Sequence, residues 1–175
     1  MKFKKLLVLT LAAALSVAAA WAQDDDDAIY AVDLIKAGQR APDFKVQSLD
    51  GKVYTLKDFK GKYLVLDFWA TWCPDCRKEM PHMKELWKMA SESGKKIVFA
   101  GVSADTDRAA LEEYIRVNDI RWLQLCEFVK RKDSVISADY KVKWIPSVYV
   151  IGPDGKVILS TVMTEKVEAC LKELF

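Results

Sequence analysis

Tyr63–Trp69 is an apolar run broken by one charge, Asp67, and it follows a polar connector, Asp58-Phe59-Lys60-Gly61-Lys62. Its length and its borders predict a buried strand. The period then changes. Over 74–93 the apolar positions Met80, Met83, Leu86, Trp87 and Ala90 recur at helical spacing, with Pro81 expected to interrupt and kink the helix and Gly94 to end it. A second buried strand is predicted over 96–102, and an amphipathic helix over 106–117 capped by Asp105 or Thr106. Residues 122–126 read as a short strand and 133–140 as a short helix. Two further strands, 147–151 and 156–160, flank the turn Gly152-Pro153-Asp154-Gly155. Thr164 caps a last helix with Val167, Cys170, Leu171 and Leu174 on one face. Upstream, Asp50-Gly51 lies between 44–49 and 53–56 and predicts a small hairpin. This order predicts an α/β fold, a mixed sheet flanked by helices on both faces.

The first 22 residues stand outside that fold. Lys2, Lys4 and Lys5 precede an apolar run over 6–20, which is short for a membrane span, and Ala20-Trp21-Ala22 fits a cleavage site. Residues 1–22 therefore read as a signal peptide, in preference to an uncleaved anchor, and place the mature chain in the periplasm or outside the cell, where disulfides persist. Residues 23–38, with the run Asp24 to Asp27, read as an acidic flexible N-terminus, and 39–175 as one domain. Cleavage lowers Lys+Arg from 27 to 24 against 25 acids, a net charge near −1. Nothing in that balance favours nucleic acid or an anionic membrane.

The chemistry is concentrated in Trp72-Cys73-Pro74-Asp75-Cys76. Two thiols three residues apart, between a strand and a helix, point to redox exchange. At the helix start Cys73 meets unpaired N–H groups and the positive end of the dipole, and both favour thiolate, the attacking species. Cys73 is therefore read as the exposed nucleophile and Cys76, one turn on, as the shielded resolver. Asp75 opposes the thiolate, which predicts a reducing poise. Asp67, inside an apolar strand, is expected to have a raised pKa. Cys126 and Cys170 read as core thiols in preference to a second disulfide. His82, the only histidine, reads as a surface helix residue, and no metal site or cofactor is expected.

These residues resemble the thioredoxin superfamily, and more closely its exported TlpA/ResA-like thiol–disulfide oxidoreductases. The resemblance is carried by Ala41-Pro42-Asp43-Phe44, Asp50-Gly51-Lys52, the stretch from Phe68 to Cys76, Glu79-Met80-Pro81, Ile145-Pro146-Ser147 and Gly152-Pro153-Asp154-Gly155-Lys156. It implies a thioredoxin-like fold with an N-terminal hairpin and a helix–strand insertion. It also implies a cis peptide before Pro146 facing the cysteines, and a proton-transfer role for Asp67 at Cys76. Glu79 matches an acid of this branch; the other reading is an ordinary exposed helix glutamate. Trp72, Pro74, Ile145 and Pro146 are expected to seat the client. Two departures, Ser147 where threonine is usual and the Pro-Asp pair between the cysteines, bear on partner and poise.

The activity so implied is reduction of disulfides in exported proteins by a monomer, recharged by a membrane-linked electron donor. Two other classes compete: a copper-binding or metallochaperone module using the same dithiol, and a peroxiredoxin, which shares the Ala-Pro-x-Phe opening. The peroxiredoxin ranks lower, because Leu66 and Ala70 stand where its loop needs Pro and Thr or Ser.

Overall fold

The computed structural model describes residues 26–174. The elements are α1 (Asp26–Tyr30), β1 (Lys45–Gln47), β2 (Val53–Thr55), β3 (Tyr63–Trp69), α2 (Pro74–Glu92), β4 (Ile97–Ser103), α3 (Arg108–Val117), β5 (Leu123–Cys126), α4 (Val135–Asp139), β6 (Ser147–Ile151), β7 (Val157–Thr161) and α5 (Thr164–Leu174). The main sheet has the order β5-β4-β3-β6-β7. Strands β3, β4 and β5 run parallel, β6 pairs antiparallel with β3, and β7 pairs antiparallel with β6. The two central strands, β3 and β4, are buried almost throughout, which is why their sequences do not alternate.

Successive side chains of β3 point to opposite faces. Trp69 meets Tyr114 of α3 on one face, where Arg77 of α2 also lies over the Tyr114 ring. Phe68, on the other face, packs on Tyr140 beside α4 and on Tyr149 of β6. Helices therefore cover both faces, as the element order predicts. The small hairpin β1–β2 forms and is bridged to the edge strand β5 through Ser48 and Leu125.

Three expectations are corrected. Helix α3 starts two residues later than its pattern suggests, because Asp107 is the cap, accepting from the N–H groups of Ala109 and Ala110. Helix α2 continues through Pro81, which lies inside it and does not interrupt it. The third concerns the N-terminus: from Asp26 onward, the supposed flexible segment is packed on the domain. The Asp27 carboxylate accepts from Thr161 Oγ1 and Val162 N, both at 2.8 Å, and from Lys166 Nζ at 2.9 Å. Burial pushes its pKa up, but these donors outweigh it and hold the group below the usual carboxylate range. Ala31, Leu34 and Ile35 are buried, and the Ile35 N–H donates to Tyr149 Oη at 3.1 Å. Residues 38–40 then pair with β7 through Gly38 N to Val157 O and Val157 N to Gln39 O. An acid-rich stretch read by composition hides these few anchoring residues. The expected signal peptide lies outside the described residues. Among the described residues no helix is long and apolar enough to cross a membrane.

Candidate active site

The site is assembled where β3 ends and α2 begins. Cys73 is the N-cap of α2, with Pro74 in the first turn, where the missing N–H of proline costs nothing. Its Sγ accepts the backbone N–H of Cys76 at 3.2 Å, so the cap position gives the sulfur a backbone donor. The same sulfur lies 3.5 Å from the carbonyl oxygen of Ile145, which precedes Pro146 in a cis peptide bond. All four cysteines are free thiols.

Cys73 and Cys76 are 4% and 3% exposed, so the sequence expectation of an exposed Cys73 is corrected: the two thiols are buried equally. They differ in environment. Burial first, then the neighbouring Cys73 and the Asp67 charge, push the Cys76 thiol far up. Asp67 is 3% exposed, and burial pushes its carboxyl up to about 7. Opposite Asp67 on β4 stands Gly101. A Cβ there would run into Gln124 Oε1 and Trp69 Nε1, which are bonded to each other at 3.0 Å. The glycine thus admits a buried polar pair beside the acid.

A groove of about 350 Å³ opens next to this centre, lined among others by Asp75, Glu79, Pro146, Trp144, Tyr30 and Thr164. Trp72 is exposed and Pro74 lies on the surface, but Ile145 and Pro146 are buried. The apolar rim is therefore not built from Ile145. Its place is taken by Trp144, 41% exposed, stacked on Tyr30 of α1 at 4.4 Å. Glu79 accepts the hydroxyl proton of Thr164.

Sequence reasoning missed several residues here. Trp144 and Tyr30 come together only through docking of the N-terminal segment. Asp105, 3% exposed, accepts from Thr71 N at 3.0 Å, Thr71 Oγ1 at 2.6 Å and Ser103 Oγ at 2.7 Å, and so braces the turn leading into Cys73. Only its position just beyond an apolar strand hinted at this. Cys126 sits on the edge strand β5, whereas α5, which carries Cys170, packs on β6, β7 and α2. The two lie on opposite sides of the sheet's centre.

The family model described as "AhpC/TSA family" matches residues 37–160. The chain belongs to the AhpC/TSA family. Among its relatives, the thiol-disulfide oxidoreductase ResA of Bacillus cereus is 36% identical over 124 residues, covering 71% of this chain and 68% of that protein. The thioredoxin-like protein YneN of Bacillus subtilis is 34% identical over 123 residues, covering 70% and 69%. A solved thiol-disulfide oxidoreductase from Bacteroides fragilis NCTC 9343 superposes with a TM-score of 0.72 at 29% identity, covering 78% of this chain and all of that one. This AhpC/TSA-family chain is thus a thiol–disulfide oxidoreductase with a thioredoxin-like fold and a Cys-x-x-Cys dithiol. The named relatives favour neither the copper-binding nor the peroxiredoxin alternative.

Proposed function

We propose that this oxidoreductase works as a reductase of disulfides in exported proteins, after removal of its signal peptide, with Cys73 as nucleophile and Cys76 as resolver. The Cys73 thiolate attacks one sulfur of the client disulfide, forming a mixed disulfide and releasing a client thiolate. Cys76, deprotonated with the help of Asp67, attacks Cys73 sulfur. The second client thiol leaves and a Cys73–Cys76 disulfide remains. Two electrons have passed to the client, and a membrane-linked donor returns two. The enzyme acts as a monomer in the periplasm or outside the cell.

The observation that carries this reading is the placement of Cys73 Sγ: 3.2 Å from a helix N-terminal N–H and 3.5 Å from the Ile145 carbonyl. A client strand laid along Ile145-Pro146 would compete for that carbonyl region, with Trp72 and Pro74 on one side and the groove of Trp144, Tyr30 and Glu79 on the other. Glu79 serves as a second acid at the groove.

Two experiments test the assignment. Limiting alkylation of the reduced protein should label Cys73 first, and preferential labelling of Cys76 would reverse the roles. Cys76→Ser should accumulate mixed disulfides with clients, because only the attacking thiol remains. If Cys73→Ser traps clients equally well, the mechanism as written fails.

A further inference from the structure

The chain has one histidine, and the mechanism leaves it unused. His82 lies on α2 one turn beyond Glu79 and bridges to α5. Its Nδ1 is 3.0 Å from Thr164 Oγ1, and its Nε2 is 3.2 Å from Glu168 Oε2. Thr164 is 2% exposed and gives its hydroxyl proton to Glu79. Glu168 also holds Lys172 Nζ at 2.6 Å. The Lys172 hydrogen bond and charge keep Glu168 below the usual carboxylate range, and the His82 bond adds to them. The result is one continuous chain: Glu79, Thr164, His82, Glu168.

A hydroxyl has one proton. While Thr164 donates to Glu79, it can only accept from His82, so Nδ1 carries a proton. Nε2 faces the Glu168 carboxylate at 3.2 Å, and a proton there would complete that hydrogen bond as well. This arrangement pairs an imidazolium with an ionised Glu79. Now let the Nδ1 proton pass to Thr164 as Thr164's own proton passes to Glu79. The imidazole is neutral, still donating from Nε2 to Glu168, and Glu79 is a neutral acid. Every contact remains satisfied, the proton count is unchanged, and no electrons move.

We propose that His82 is a positioning residue that sets the protonation of Glu79 through Thr164, which rests on the reading of Glu79 as the site's second acid. Glu79 hands its proton to a departing client thiolate in the groove; the neutral ring, 26% exposed, then takes a proton from solvent, and an Nδ1 proton passes through Thr164 to restore Glu79. The other charges around the ring are Lys78 and Glu85, one turn to either side on α2, and Glu165, Glu168 and Lys172 on α5.

The test uses insulin disulfides as substrate and dithiothreitol as electron source. In His82→Asn the amide can still bond Thr164 but carries no titratable proton. Its kcat should fall about 5- to 10-fold with KM unchanged, below the full range of general acid–base help because Glu79 remains. Its pH profile should match that of Glu79→Gln, and the double variant should be no slower than the slower single one. A second measurement needs no change at His82. The lone imidazole gives one set of nuclear magnetic resonance signals, and its titration should show two inflections in the natural protein and one in Glu79→Gln. A wild-type pH profile in His82→Asn, or a single inflection in the natural protein, overturns the relay. If Glu79→Gln slows turnover and His82→Asn does not, only the relay fails. If Glu79→Gln itself leaves turnover unchanged, the reading of Glu79 fails and the relay with it.

Discussion

Asp67 and Asp105 are buried to the same degree, 3% exposed, at the same end of the sheet, yet the fold treats them in opposite ways. Asp105 receives three donors, two from Thr71 and one from Ser103. A carboxylate so satisfied is a brace, holding the turn into Cys73. Asp67 sits in the apolar run of β3, and burial pushes it up to about 7. A carboxyl that exchanges its proton near neutral pH is a candidate acid–base group. Burial alone therefore does not assign a role to a charge; the donors around it do.

Asp67→Asn tests the acid half of this contrast and should have the largest effect. It keeps the shape and removes the base, so disulfide-reductase turnover should fall ~10²-fold. Stability should move the other way. The folded value, about 7, lies above the ordinary 3.8, so the fold prefers the neutral form. Below about pH 4 both folded and unfolded chains are protonated at this site and there is no cost. Between there and pH 7 the unfolded chain ionises first, and stability falls by up to about 1.4 kcal/mol per pH unit. Above pH 7 the cost is complete and constant. Asp67→Asn should therefore raise the melting temperature at pH 8 and leave it nearly unchanged at pH 4. Unchanged turnover from pH 6 to 9 would make Asp67 structural only.

Asp105→Ala should do the reverse and cost stability. It leaves the Thr71 N–H, the Thr71 hydroxyl and the Ser103 hydroxyl without their acceptor, a loss of about 2 kcal/mol. Denaturant unfolding at pH 7 measures it. A loss under about 0.5 kcal/mol would show that solvent replaces the brace, and the contrast with Asp67 would narrow.

The same contrast marks what the sequence could disclose. Asp67 was legible because a single charge inside an apolar run is conspicuous, and so was Cys73-x-x-Cys76, whose spacing carries its own geometry. The strands β3 and β4 were legible because burial on both faces leaves no polar alternation to confuse them. The pattern offers Asp105 or Thr106 as a helix cap, since such residues beside a helix start usually are caps, and only the pairing of β4 with β3 turns Asp105 inward toward Thr71. The Trp144–Tyr30 stack and the His82–Thr164–Glu79 chain join residues more than 80 positions apart in sequence, and no local pattern encodes such a meeting. The acidic N-terminus misled because composition counts Asp24 to Asp27 as solvated, while one of them, Asp27, finds three donors, at the end of β7, just beyond it at Val162 and on α5.

Asp75 completes the comparison as a third carboxylate of the site, exposed, and it should have the smallest effect. It stands two residues after Cys73 in the first turn of α2 and opposes the thiolate that the helix N-terminus favours. Stabilising the thiolate of the reduced form makes a dithiol more oxidising, so Asp75 should lower the potential of the pair. Removing its charge in Asp75→Asn should raise the potential by at most about 30 mV for each pKa unit lost by the attacking thiol. Solvent screening at the exposed position limits the change. Equilibration against glutathione buffers of known ratio measures both proteins, and the difference should shrink in high salt. A natural protein with a potential near about −120 mV would refute the reducing poise. An Asp75→Asn potential equal to or below the natural one would show that the helix terminus and the Cys76 N–H alone set the balance at Cys73.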